Sequence, residues 1–271
     1  NDATKLIEDF MLIANETVAE DFYWQEIPFL YRVHETPDPE KIQSLQRFIQ
    51  NFGYYIKGDR EEIHPKELQK LLAKIADSPE EDLISRLTLR SMKRAKYSPD
   101  CTGHFGLASR YYCHFTSPIR RYPDLQIHRI IKETLRGRMG EERRNHYEEI
   151  LPTVAEKTSE AERRADESER ETLKLKKAEY MEDHIGEEFD GVISGITNWG
   201  IYVELPNTVE GLVHVNTLRD DYYTFDQDAY ELRGDVTGKV FALGQKVRVR
   251  VAEADTMLKT VDFVLAEQHD W

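Results

Sequence analysis

Two arginines stand side by side in the segment SPIRRY, Arg120 and Arg121, and their side chains are suited to phosphate chemistry. A guanidinium is planar and permanently charged, and its forked donors reach two phosphate oxygens at once. Pro118 and the turn around it would hold Arg120 at a fixed point. Taken as residues alone, adjacent arginines after a proline read more simply as solvated surface charge. They end a stretch, residues 96–122, made of short Gly-, His- and aromatic-rich pieces (YSPDCTGHFGLASRYYCHFTSPIRRY). That stretch is too irregular for a helix and too polar for a core strand, so it is where a site is sought. His104, His114 and His128 are possible phosphate contacts, although structural hydrogen bonding is the simpler reading of each. Asn15, one position off an apolar stripe, reads as a partner for nearby backbone. Ser117 lacks the G-x-S-x-G elbow of a serine nucleophile, and no Rossmann or P-loop glycine pattern occurs. Cys101 and Cys113 are the only cysteines and are not spaced as CxxC, which argues against a disulfide framework or a thiolate zinc site.

The elements that must carry these residues change character along the chain. Residues 3–20 place Ile7, Met11, Ala14 and Val18 at helical spacing, and a second helix over 40–51 follows Pro37 and Pro39 and stops near Gly53. Pro65 opens a third helix with Leu68, Leu71, Leu72 and Ile75, while Ser78, Pro79 and Glu81 form a capping-box start for a fourth. Pro123 opens another with Leu125, Ile127, His128, Ile130, Ile131 and Leu135. A charged helix then runs over 143–182, with a break expected at Pro152. After Ile185 the period falls from 3.6 to 2, and DGVISGI, GIYVEL, EGLVHV, KVRVRVAEA and TVDFVL read as five short strands. The N-W-G turn, the third strand and a long third connection (215–244) fit an OB-fold barrel better than a sandwich. The fold class is therefore α+β, with a mainly helical part over 1–184 and a five-stranded barrel over 185–271.

In such a barrel Trp199, Tyr202 and His214 lie on or beside the second and third strands. Outward aromatics there stack on unpaired bases, each stacked base contributing about 1–3 kcal/mol whatever its identity. Core packing is the competing reading for any single aromatic. The formal charge of −14 argues against a nucleic-acid partner until its distribution is considered. Residues 81–140 hold 12 Lys and Arg against 5 Asp and Glu, net +7, which leaves the remainder at −21. A basic segment in an acidic body would focus a polyanion in one place, unless these charges are only solvated helix faces. Neither a membrane-spanning apolar run nor a leader-like start is present, so a cytoplasmic location is expected.

The segment GHFGLASRYYCHFTSPIRRYPDLQIHR resembles the signature of the ribonuclease II/R catalytic (RNB) domain. IEDFMLIANETVAE near the start and ERRADESERE at 162–171 resemble two further elements of it, in family order, most of all its ribonuclease R branch in Gram-positive bacteria. The barrel sequence over 186–266 resembles an S1 domain. The resemblance implies the end of an RNB catalytic domain followed by an S1 RNA-binding domain, from an exoribonuclease that degrades RNA from the 3′ end to 5′-nucleotides. It places Arg120 near the scissile phosphate and gives Glu169 a catalytic contribution. Glu8, with Arg121, would contact RNA, and the S1 face would bind it through Trp199, Tyr202, His214 and Phe189. Hydrolysis in this family uses Mg²⁺ to activate water and stabilise charge on the phosphoryl oxygens.

The family's metal-binding aspartates occur as D-x₅-D-x-D-D, upstream of the IEDF element, so no metal ligand is expected here and this chain alone is expected to be inactive. Asp220, Asp226 and Asp228 mimic part of that spacing but read as loop carboxylates. The expected partners are single-stranded RNA and the missing N-terminal part of the same enzyme, with no membrane involved. The alternative reading is a non-catalytic RNA-binding module. A third is an acidic helical interaction protein whose barrel is merely structural.

Overall fold

The computed structural model describes residues 2–57, 63–78, 80–226 and 230–266. The chain forms two compact units, the first of Asn1–Gln43, Ile56–Lys70 and Arg90–Ala165, the second of Ser44–Tyr55, Leu71–Leu89 and Asp166–Trp271.

Helix α1 (Asp2–Trp24) packs only through its second half, where Asn15, Ala19 and Phe22 are buried. Leu6, Ile7, Phe10, Met11 and Ile13 are 39–60% exposed, so the stripe expected through Ile7 and Met11 is not a core contact. The core of the first unit reaches only the last turns of α1. It gathers Ala19, Phe22, Phe29, Tyr31, Val33, Tyr97, Cys113, Ile127, Ile130, Tyr147 and Leu151. Strand β1 (Tyr31–Val33) pairs antiparallel with β2 (Lys96–Ser98), which fixes the start of the irregular segment. That segment has one 3-10 turn, Phe105–Leu107, and leads into α5 (Tyr122–Leu135).

Helices α2 (Pro39–Gln50) and α3 (Pro65–Ile75) form where their prolines and apolar spacing predict them. Helix α4 (Glu81–Ser91) starts differently from the capping box expected at Ser78. The Glu81 carboxylate accepts the Asp77 N–H at 2.7 Å, while the Ser78 hydroxyl has no partner among the described residues. Pro79 lies outside the described residues. Helix α6 (Glu141–Glu182) runs unbroken through Pro152. An interior proline costs a helix about 3 kcal/mol. Leu151 and Ala155 beside it are 1% and 3% exposed, and burying a leucine alone contributes about 1.5–3 kcal/mol in return.

In the second unit β3 (Glu188–Thr197), β4 (Gly200–Glu204), β5 (Glu210–His214), β9 (Lys246–Asp255) and β10 (Thr260–Leu265) close a barrel in the order β10-β5-β4-β3-β9. Ile193, Ile201, Val203, Val213, Val249, Val251 and Phe263 fill it. The connection expected as a loop over 215–244 contains a further antiparallel sheet, β6 (Tyr223–Asp226), β7 (Glu231–Gly234) and β8 (Val240–Ala242). Asp221 fastens its turns by accepting from Val236 N at 3.1 Å, Thr237 N at 2.6 Å and Thr237 Oγ1 at 2.5 Å. Those donors hold its carboxyl down to about 2.

Candidate active site and nucleic-acid interface

The irregular segment is anchored by side chains that supply the hydrogen bonds a strand would have supplied. Asn15, 3% exposed on α1, accepts from Phe115 N at 2.9 Å and donates to Tyr112 Oη at 3.1 Å. The Cys113 thiol donates to the Asn15 carbonyl. His128 on α5 bonds the Phe115 carbonyl through Nε2 at 2.9 Å and stacks on the Phe115 ring at 4.4 Å. Tyr97 Oη and His114 Nδ1 share a hydrogen bond of 2.9 Å. His104 Nδ1 accepts from Leu107 N, and His34 Nδ1 accepts from Gly106 N, where a Cβ would stand 2.9 Å from that same nitrogen.

Burial is the main reason the His114 and His104 rings stay neutral. It lowers His114 to about 3, with Arg121, Arg32, His104 and Arg120 adding to the effect, and lowers His104 to about 4. Burial likewise pushes the Tyr97 hydroxyl up to about 12. Arg32 lies over the Tyr97 ring at 4.7 Å and pairs bidentately with Glu162 of α6 at 2.6 and 3.0 Å. The pairing of Arg32 with Glu162 is not legible in the sequence, because charges 130 residues apart leave no local pattern.

The segment ends in a turn that separates the two arginines. Ser117 O accepts from Arg120 N at 3.3 Å and from Arg121 N at 3.0 Å. Asp124 is completely buried, and its Oδ2 accepts from Ser117 N at 2.7 Å and from Arg121 Nη2 at 2.8 Å. Arg121 therefore turns inward, its side chain 23% exposed, and spends donors on a carboxylate. Arg120 and Ile119 face solvent. Glu8 is exposed on α1 in the first unit, and Glu169 is exposed on α6 in the second.

Trp199 sits in the β3–β4 turn, 56% exposed, and its carbonyl accepts from Val215 N at 2.7 Å. The turn requires Gly200, at φ 149, since a Cβ there would lie 2.1 Å from the Val213 carbonyl oxygen. Pairing of Gly200 with His214 and of Tyr202 with Leu212 puts Tyr202 and His214 on the outer face of adjacent strands. Gly195 across from Tyr202 leaves room beside the ring. His214 is exposed, and its Nδ1 accepts from Asn216 N, which leaves Nε2–H as a donor. Phe189 is different. It shares the inward side of β3 with Gly191 and Ile193 and packs against the barrel core. Cations are few nearby. The outward row Lys246, Arg248 and Arg250 on β9 faces Glu188 and Asp190, and Arg248 is paired with both.

Among the described residues no three His, Cys, Asp or Glu are grouped to hold a metal. Asp220 pairs with Lys239 at 2.9 Å and accepts from the Tyr223 hydroxyl, Asp226 ends β6, and Asp228 lies outside the described residues.

The sequence matches the RNB domain family over residues 1–137 and the S1 RNA binding domain family over residues 182–263. Ribonuclease R 1 of Lactococcus lactis is 45% identical over 261 residues, 96% of this chain and 32% of that protein. Ribonuclease R of Thermotoga maritima is 48% identical over 271 residues, 99% of this chain and 38% of that protein. Mycoplasma genitalium RNase R, solved in complex with ribose methylated single-stranded RNA, matches with a TM-score of 0.92 at 30% identity, over 98% of this chain and 42% of that one. The chain thus spans about a third of the length of the two sequence relatives. With the anchored SPIRRY turn in one unit and the S1 barrel in the other, the chain belongs to the RNB family of ribonuclease II/R type.

Proposed function

We propose that this chain is the C-terminal part of a 3′-to-5′ hydrolytic exoribonuclease that releases 5′-nucleotides, its S1 barrel binding single-stranded RNA. The observation that carries the reading is the SPIRRY turn, which holds one arginine inward on a buried carboxylate and leaves Arg120 outward. A guanidinium so placed suits the charge that grows on a phosphoryl group in its transition state. In this reading Glu169 contributes to catalysis, while Glu8 contacts the RNA end. Arg121 acts beneath Arg120 and touches RNA at most at the edge of the site. Trp199, Tyr202 and His214 stack on bases, and Phe189 supports them from the barrel core.

Mg²⁺ would supply water activation in the parent enzyme, held by carboxylates outside this chain, so the chain alone would not hydrolyse RNA. Its partners are single-stranded RNA and the upstream part of the same enzyme, in the cytoplasm. No helix among the described residues is long and apolar enough to cross a membrane. The test is degradation of a 5′-labelled single-stranded RNA with Mg²⁺ by this chain alone and by the chain mixed with the upstream part. Activity is expected only in the mixture, and Arg120→Ala should lower it by about 10²–10³-fold. Degradation by the chain alone, after removal of contaminating nuclease, overturns the division of labour.

A further inference from the structure

Arg120 makes no side-chain hydrogen bond or ion pair within the described residues, so its aim is set by the backbone that carries it. That backbone is short. Ser117 O accepts the Arg120 and Arg121 amides, and the Ser117 amide is in turn held at 2.7 Å by Asp124 Oδ2. The same oxygen binds Arg121 Nη2 at 2.8 Å, which ties both ends of the turn to one atom. Asp124 lies in the first turn of α5, where the helix dipole favours a carboxylate. We propose that Asp124 is a positioning residue for Arg120, acting through the Ser117–Arg121 turn, with Arg121 as its counter-charge rather than a phosphate ligand.

Energetics favour a geometric role over a stabilising one. A largely buried ion pair is often no more stabilising than apolar residues of the same volume, because desolvation cancels the attraction. Asp124 Oδ1 and Arg121 Nε are buried without a partner among the described residues, so this pair is not even fully satisfied. What the pair does achieve is directional. Two adjacent arginines repel, and neutralising the inner one fixes which of them faces outward. The positive charge that this turn presents outward is then that of Arg120.

This inference rests on the nuclease reading above, and the test separates the two. Rates on single-stranded RNA are measured for the full-length parent and for its Arg120→Ala, Asp124→Asn and doubly substituted forms, each verified as folded. Misplacing a reacting group by about 1 Å costs about 10²-fold, so Asp124→Asn should lower kcat by about that factor with little change in KM. In the Arg120→Ala background it should cost nothing further, because the group it positions is gone. A merely structural residue would lower the rate equally in both backgrounds, and that result, or an unchanged kcat in Asp124→Asn, overturns the proposal. Should Asp124→Asn not fold, the neutral pair Asp124→Asn with Arg121→Gln is read by the same criteria. If Arg120→Ala leaves the rate unchanged, the nuclease reading has failed before Asp124 is touched, and this inference falls with it.

Discussion

Replacing Asn15 with leucine should loosen the first unit by about 2–3 kcal/mol. The side chain is 3% exposed and bonds two groups, the Phe115 amide at 2.9 Å and the Tyr112 hydroxyl at 3.1 Å. Leucine has a similar volume, so the cost comes from polarity and not from a cavity. Each orphaned buried group costs about 1–3 kcal/mol. Burying leucine in place of an amide returns about 1–2 kcal/mol. The remainder is a large share of a stability of about 5–15 kcal/mol for one domain. Two compact units need not unfold together, so the probe must belong to the first. Trp24 on α1 serves, in a background where Trp199 and Trp271 are phenylalanine, with urea unfolding followed by fluorescence. Tyr112→Phe is the control. It removes one bond and leaves Asn15 on Phe115, for a cost of about 1 kcal/mol. A loss below about 1 kcal/mol in Asn15→Leu, or equal losses in both variants, would show that the segment leading to SPIRRY is held by packing instead.

Substituting Trp199 and Tyr202 together with alanine should weaken single-stranded RNA binding by about 1–3 kcal/mol per stacked base, read by fluorescence anisotropy. Unchanged affinity in a folded double variant would move the RNA face elsewhere on the barrel. The buried histidines predict a pH response. His114 and His104 titrate at about 3 and about 4 in the folded chain, below the unfolded value of about 6.5. Between those limits the unfolded state binds protons that the native state refuses, so stability falls as pH drops below about 6.5. The slope is at most about 1.4 kcal/mol per pH unit for His114, and less for the more exposed His104. A ring signal of either histidine titrating near 6.5 in the folded protein, followed by NMR, would contradict the burial argument.

Periodicity made the helices and the five barrel strands legible, because each repeats an apolar residue often enough to be counted. It said nothing of β6, β7 and β8, whose three or four residues give an alternation such as Tyr223, Phe225 too little length to register. Pro152 misled for a different reason. A local rule against interior proline was overridden by burial on either side, which only tertiary packing creates. At the site, the family resemblance assigns Arg120 to the scissile phosphate, but the residue types alone do not show that Arg121 turns inward. The distinction lies in Asp124, one helical turn past Arg121, whose burial no sequence pattern announces. Asn15 reads in sequence only as a polar residue beside an apolar stripe, because its partners sit 97 and 100 residues away.

The barrel closes through a parallel pairing of β10 with β5, in which Asp262 meets Leu212 across fifty residues of chain. The inserted sheet of β6, β7 and β8 lies wholly inside that span, and its strands meet neighbours through short antiparallel turns. Local pairings form quickly, while distant ones must first overcome the entropy of closing a long loop. The insertion should therefore assemble early and shorten the loop that the last strand has to close. Pulse-labelled exchange during refolding would show the amides of β7 protected before those of β10, and the reverse order would mean that the barrel templates its own insertion.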